Sequence, residues 1–464
     1  MRTFLMLSRS GFLVAASAGF YFVLSVALNL VVLSDQANAQ RPFVTGVVPV
    51  VGPNGEVGGI KVDADGVARR VLTANDGKFK NAKFKIGTST KDVTKKSSLR
   101  KISLKRLEKL LATHLAEQKA LPREVELMAG LRSIEYVFVD DENKDIILAG
   151  PAGAWKSGPD GSFVASDSGW PVMQLIDLVD AFRVSKKKLQ QGMTCSMDAS
   201  EEGLKRYARL SRKRMSTSAR GIKSAKKAIG PFQIKLDGIP SQSHFAHVLV
   251  AADIMMKRIG MNLETTSVKG VPGYMELLEQ SNSNAHSMPR WWLEMDYDPI
   301  VRNESGSIWK ISSGVKAQTQ AEFLDEQGNK QVQQEADDVA KKWTKGFTSN
   351  YEKLCREFPV FGQLQNCMDL AVVAALIERY DLRGHSGLSL ATLRDEKQIS
   401  TATMPAPLTT DPELSFVQKA RSTIVCVSGG VDLNCWKVAG NVKADQQLAI
   451  KEAKASQSTH WWWD

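Results

Sequence analysis

Between Val44 and Val71, valine- and isoleucine-rich segments are interrupted by Pro53-Asn54-Gly55 and by Asp63-Ala64-Asp65-Gly66. Such short polar stretches ending in glycine favour tight turns, so the pattern predicts β-hairpins. Asp63-x-Asp65-Gly66 lacks the later acidic ligands of a calcium loop, which leaves the turn as its role. From Leu104 the period changes. Leu104, Leu107, Leu110 and Leu111 share one face of a helix that Ser103 is placed to cap. Ile134–Val139 and Ile146–Leu148, separated by a polar turn, predict a further hairpin. Helical periodicity recurs at Met173–Lys187, Glu201–Lys213, Phe245–Ile259, Asp337–Cys355 and Phe361–Tyr380, and sheet segments are expected from Trp291 to Val332. No longer repeat is visible, which argues against a solenoid or propeller. The expected class is α+β, with mixed helices and antiparallel hairpins or a meander and no repeat architecture.

The first residues have the order of a secretory signal. Arg2 and Arg9 precede an uncharged, mainly apolar run from Gly11 to Leu33, followed by Ser34-Asp35-Gln36-Ala37-Asn38-Ala39-Gln40. Small residues at Ala37 and Ala39 fit a signal peptidase, so cleavage is expected between Ala39 and Gln40. The rival is an uncleaved membrane anchor over residues 11–33, a run long enough to span a bilayer. No second run of that kind is expected after Gln40. The remaining 464 − 39 = 425 residues suggest several regions. These are a hairpin-rich region with a basic block at 40–165, a mainly helical basic region at 166–285, a β-meander with a helical hairpin and a C-terminal hairpin at 286–445, and a polar tail at 446–464.

Charge is distributed unevenly. Lys78–Lys109 holds twelve Lys and Arg against two acids, a net of +10, and Arg183–Lys227 holds fourteen against three, a net of +11. Without residues 1–39 the chain carries 59 bases and 49 acids, so everything outside the two blocks sums to 10 − 21 = −11. Blocks of this kind recognise a polyanion, dock on the acidic remainder of their own chain, or remain solvated. Aromatic residues are sparse in both blocks, so no specific nucleic-acid partner is expected.

The most suggestive local sequence is Trp291-Trp292-Leu293-Glu294-Met295-Asp296-Tyr297-Asp298. On a strand it places Trp292, Glu294, Asp296 and Asp298 on one face and Trp291, Leu293, Met295 and Tyr297 on the other. Alternation alone explains this as an amphipathic strand. A row of carboxylates beside an indole would also suit a sugar, and Glu294 with Asp296 would be the first candidates for glycoside hydrolysis. His244-Phe245-Ala246-His247 with Asp253 lacks the spacing and the glutamate of a zincin, so a helix N-terminus is expected there and no metal site. No nucleophile elbow, Walker loop or dinucleotide fingerprint occurs, and no cofactor is expected.

In an exported chain the five cysteines would meet an oxidising compartment. Cys426 and Cys435 bracket a segment centred on Gly429-Gly430 that is expected to turn back as a hairpin, making them one candidate disulfide. Cys355 and Cys367 flank a helix break at Phe358-Pro359 and make a second, leaving Cys195 over. The alternative is five small buried side chains. Trp461-Trp462-Trp463 near the chain end would suit docking on a partner, a sugar or a membrane interface, or would fold back on the core.

Gly59–Val67, Leu148–Ala152, Pro171–Leu175, Val248–Met261, Asn366–Ala371 and Val427–Val431, taken in order, resemble exported planctomycete proteins carrying the domain of unknown function 1598. The resemblance implies an envelope or extracellular location and supplies no catalytic residues. The basic block at Lys78–Lys109 and the terminal tryptophans fall outside it. The expected role is an exported structural or interaction protein of the cell envelope in contact with an anionic polymer or protein. An envelope polysaccharide hydrolase is the alternative.

Overall fold

The computed structural model describes residues 56–71, 92–158, 160–211, 218–282, 288–325, 327–333, 337–402, 404–418, 422–448 and 462–464. Residues 1–39, Gln40, Pro53-Asn54-Gly55, Lys78–Lys91 and Trp461 lie outside them.

Strands β1 (Glu56–Val57), β2 (Ile60–Val62) and β3 (Val67–Arg70) form two successive hairpins. Gly58 and Gly59 take φ of +57° and +71°, the left-handed values a two-residue turn requires. The second turn is the Asp63–Gly66 segment, where the Asp63 carboxylate accepts from the amides of Asp65 and Val67 at 3.1 and 2.9 Å. Strand β4 (Ser97–Ser103) runs directly into α1 (Leu104–Ala116), which buries Leu104, Leu107 and Leu111. Ser103 caps it as expected, accepting from the Arg106 amide at 3.1 Å. After the short α2 (Arg123–Glu126), β5 (Tyr136–Asp140) and β6 (Asp145–Ala152) make the expected hairpin, and β7 (Trp155–Ser157) pairs with β8 (Phe163–Ala165).

The helix expected over Met173–Lys187 is two, α3 (Leu175–Arg183) and α4 (Lys186–Gln191). Val184 is extended and Ser185 starts the second by capping Lys188. Strand β9 (Met193–Ala199), α5 (Glu201–Ser211), α6 (Ala219–Ile229), β10 (Phe232–Asp237), α7 (His244–Gly260) and α8 (Tyr274–Gln280) follow. The meander comprises β11 (Met288–Met295), β12 (Ile300–Arg302), β13 (Ile308–Lys310), β14 (Val315–Leu324) and β15 (Lys330–Gln333). Helices α9 (Asp338–Ser349), α10 (Tyr351–Glu357), α11 (Pro359–Arg379), α12 (Leu382–Ser386) and α13 (Ala391–Arg394) come next. The chain continues through β16 (Thr409–Thr410), β17 (Leu414–Gln418), β18 (Ser422–Cys426), β19 (Ser428–Leu433), α14 (Cys435–Gly440) and β20 (Val442–Ala444).

Two large sheets organise these elements, and the α+β class holds. The first has ten strands in the order β1-β2-β3-β16-β10-β9-β19-β11-β14-β15, and the second has six, β20-β12-β13-β5-β6-β4. Most neighbours are antiparallel, but β19 lies parallel to β11, β16 to β3 and β20 to β12. Helix α11 is buried from Pro359 to Ile377 and packs against α3, α7, α10 and α14. Its length and apolar composition would suffice to cross a membrane, a second such segment that was not expected, but here the whole apolar window is enclosed by the fold. At the end of α7, Gly260 leaves room for Trp291 and Trp343, because a Cβ there would lie 2.5 and 2.7 Å from their rings. Those rings lie with centroids 4.3 Å apart at a tilt of 33°, and Tyr274 meets Trp291 edge-on at 5.1 Å.

Candidate functional site

The β11 alternation holds: Trp291 and Leu293 are buried, while Trp292 and Glu294 are partly open on the other face. Strand geometry ends at Met295, so Asp296 and Asp298 belong to the segment beyond it. Glu294 accepts from the Trp292 indole at 3.1 Å and the Gln318 amide at 2.8 Å, and the Lys316 ammonium lies 3.2 Å away. Burial opposes its charge, but these donors outweigh it and hold its pKa below the usual value. Asp296 is half exposed and shares Lys316 at 3.3 Å. On the parallel strand β19, the register partner of Glu294 is Asp432. Burial first, and then the Glu294 charge, raise the Asp432 pKa. With Asp296, Asp298, Asn434 and Lys437, these two carboxyls line a cleft of about 330 Å³.

A larger cavity of about 670 Å³ also reaches Asp296, and Arg132, Trp170, Lys310, Ser313 and Arg356 line it. These residues are scattered from 132 to 356, and no local motif marks them. Arg132 is held by Asp167 and Ser168, both at 3.1 Å, and Trp170 donates to the Arg132 carbonyl at 3.1 Å. The neighbouring Gln365 amide donates to Ser313 Oγ at 2.9 Å. One turn further along α11, Asp369 is wholly buried and receives the Tyr297 hydroxyl at 2.6 Å. Burial pushes its pKa up to about 7 against the lowering effect of its hydrogen bonds.

The basic blocks separate in their surroundings. In the described part of the first, Lys95 pairs with Asp92 at 2.8 Å and Lys96 with Asp167 at 3.2 Å. Arg100 is buried among backbone carbonyls, donating to Val93 at 2.8 Å and Ala129 at 2.6 Å. In the second, Arg183 donates to the carbonyls of Leu393, Ile399 and Asp395 at 2.7 to 3.0 Å, and Lys188 meets Asp237 at 2.5 Å. The remainder forms the α5–α6 hairpin. Leu204, Tyr207, Ala208, Ala225 and Ile229 are buried, and Gly203 permits close approach, since its Cβ would lie 2.1 Å from the Ile229 carbonyl oxygen. Arg206, Arg209, Arg220, Lys223 and Lys227 are exposed and Lys205 and Lys226 half-buried. Among the described residues, none of these seven forms an ion pair with a carboxylate.

The expected disulfides are not formed; all five cysteines are free and buried. Between Cys426 and Cys435 the chain does not turn back. Residues 428–433 run extended as β19, inside the ten-stranded sheet between β9 and β11, and carry Cys435 away from Cys426. Cys355 faces Gly362, whose Cβ position lies 3.4 Å from its own, and Cys367 lies more than a turn further along α11. Burial pushes the Cys426 and Cys435 thiols up to about 12, and the Cys195 thiol higher still.

His244 is bound through Nδ1 to Asp177 at 2.9 Å, and His247 to the carbonyls of Ser243 and Pro405 at 2.8 and 2.9 Å. Asp253 pairs with Lys257 at 2.5 Å in the core. These contacts make His244, His247 and Asp253 parts of the packing around α7. Near the chain end, Trp462 is 8% exposed and its carbonyl accepts from the Ser103 amide at 2.9 Å. Trp463 stacks on Arg100 at 4.8 Å. Trp462 and Trp463 thus both contact β4, and Trp463 stays half-buried.

Among the described residues, the fold and these sites define an α+β protein with polar clefts at Glu294 and Asp296 and a basic helical hairpin whose seven named side chains lack a carboxylate partner. Residues 195–274, from β9 to the start of α8, match the model of a family described as protein of unknown function (DUF1598). Of the stretches that carry the resemblance, Val248–Met261 falls inside this span. No curated protein matches, and no solved structure does.

Proposed function

We propose that this chain is an exported envelope protein that holds an anionic polymer on its α5–α6 hairpin. Seven basic side chains without a carboxylate partner, displayed on one helical hairpin, carry this reading. Docking of that block on the acidic remainder of the chain would require ion pairs that the described residues lack. Phosphate, sulfate or carboxylate groups on a polymer would supply the missing charge, with strong dependence on salt. Export is supported by the order of charge, apolar run and small residues at 1–39.

The test is retention of the mature protein on immobilised heparin and on alginate. Retention should weaken steeply between roughly 50 and 200 mM salt. Replacing Arg206, Arg209, Arg220, Lys223 and Lys227 together by Gln should reduce affinity at least about tenfold without lowering the melting temperature. Retention indifferent to both salt and the substitutions would end this reading. For export, the protein recovered from an envelope fraction should have a mass beginning at Gln40.

A second reading, hydrolysis of an envelope polysaccharide, is favoured by the cleft at the end of β11. There Glu294 keeps its charge while Asp432 holds its proton more firmly, the division that a general base or nucleophile and a general acid require. Asp296 lines the same cleft and shares Lys316 with Glu294, and Asp432 joins it as a candidate partner of Glu294. Release of oligosaccharide from the bound polymer, abolished by Glu294→Gln and by Asp432→Asn, would convert the binding protein into an enzyme.

A further inference from the structure

We propose that the cavity beneath the β1–β2 turn binds a primary ammonium group on an aliphatic stem, with Glu56 and Asp160 as its acceptors. The cavity has about 170 Å³, and Glu56, Arg70, Asp160 and Glu357 supply its charged lining. Glu56 is 1% exposed, yet neither of its carboxylate oxygens has a hydrogen-bond partner. Asp160 uses Oδ1 for the Ser162 amide at 3.1 Å and the Ser162 hydroxyl at 2.5 Å, while its Oδ2 is buried and unpartnered. A buried carboxylate oxygen without a donor is costly, and two such groups facing one cavity also repel each other. Both pKa values are raised, chiefly by burial, with Asp160 adding to the shift at Glu56.

The cations already present do not meet this need. Arg70 spends its guanidinium on Glu264, at 3.4 Å, and on the carbonyls of Gly59 and Val71. Lys61, opposite Glu56 in the ladder, is exposed and makes no ion pair with it. The third carboxylate, Glu357, is saturated by the amide and hydroxyl of Ser267 and the hydroxyl of Thr266 at 2.8 to 3.1 Å. Three acceptors therefore remain, two on Glu56 and one on Asp160, which is the number of N–H bonds an alkylammonium presents.

The rest of the lining selects the stem. Met255, Phe358, Pro359 and Val360 supply the apolar part of the lining. A hard divalent cation would require six or more oxygen ligands and would leave that part idle, whereas methylene groups would pack on it. A cavity of about 170 Å³ takes a short aliphatic chain and not a macromolecule. The fitting class of ligand is thus a linear alkylamine.

The test uses the mature full-length chain, with n-pentylammonium chloride as probe and pentan-1-ol and calcium chloride as controls, followed by calorimetry and thermal melting. Pentylammonium should bind saturably and raise the melting temperature, whereas pentanol should do neither. Glu56→Gln and Asp160→Asn should each weaken pentylammonium at least about tenfold. Without ligand Glu56→Gln should melt no lower than the parent protein, because it removes a buried acid whose two oxygens both lack a donor. Equal binding of the alcohol, a saturable response to calcium in place of the amine, or variants that bind like the parent would each overturn the proposal.

Discussion

Asp369 lies in the interior of α11 with no exposure, held by the Tyr297 hydroxyl and near the Ile134 amide at 3.5 Å. Its folded pKa of about 7 stands above the 3.8 of a free aspartate, so the folded state binds this proton more tightly than the unfolded chain does. The stabilisation it contributes is complete below pH 4, falls as pH rises, and is gone above 7. Within that window the slope is on the order of 1.4 kcal/mol per pH unit. Asp369→Asn cannot ionise and should therefore gain on the parent protein from pH 4 to pH 7, as urea unfolding at several pH values would measure. Parallel stability profiles for the two proteins would refute the assignment. Other buried carboxyls such as Asp180 and Asp253 tilt both profiles alike, which is why the difference is the informative quantity. At this scale the sequence was legible where a role depends on near neighbours. Ser103 as a cap and Asp63 as a turn residue each act within four positions. Asp432 was overlooked because its relation to Glu294 arises from pairing between strands far apart in the chain.

Among elements, β4 shows how a distant segment completes a local one. Its outer edge receives residues 462–464: Ser103 donates to the Trp462 carbonyl at 2.9 Å, and Asp464 donates to the Lys101 carbonyl at 3.0 Å. Arg100 joins the two pieces, contacting the Asp464 carbonyl at 3.2 Å, the Lys95 carbonyl at 2.9 Å and the face of Trp463. Deleting Trp462–Asp464 should cost about 3–5 kcal/mol, the range for losing a buried tryptophan, and should leave β4 as an open sheet edge. Lower denaturant midpoints and concentration-dependent aggregation are the expected readouts; an unchanged midpoint would show that the edge pairing contributes nothing. Three adjacent tryptophans announced an apolar contact but not which surface they contact, since β4 lies some 360 residues earlier. The Gly429-Gly430 segment misled for a related reason. Glycine pairs commonly mark turns, but here a Cβ at Gly430 would lie 1.9 Å from the Cys195 carbonyl oxygen, so its small size serves close strand approach.

For the whole molecule, the consequence lies in the strand order. The ten-stranded sheet takes strands from 56–70, 193–237, 288–333 and 409–433, and the six-stranded sheet takes others from 97–152, 300–310 and 442–444. Periodicity sufficed for the α+β class because it is a property of each element, whereas the pairing order depends on contacts that no single stretch encodes. Within the family-matched span, β9 finds β19 on its open side and β10 finds β16, both from the last sixty residues. Helix α7 likewise rests on α11, outside the span. A fragment of residues 166–285 should therefore lack the sheet neighbours and the helical cover that bury its apolar faces, and should show no cooperative melt. The intact chain should unfold in one transition, with far-ultraviolet and near-ultraviolet dichroism coinciding. A cooperative transition in the isolated fragment would make that span an autonomous domain, and the basic hairpin could then be studied apart from both clefts. Failure of the fragment to fold, alongside a single transition in the whole chain, would instead mean that the basic hairpin, both clefts and the carboxylate cavity share one stability, so that ligand binding at any of them raises the melting temperature of all.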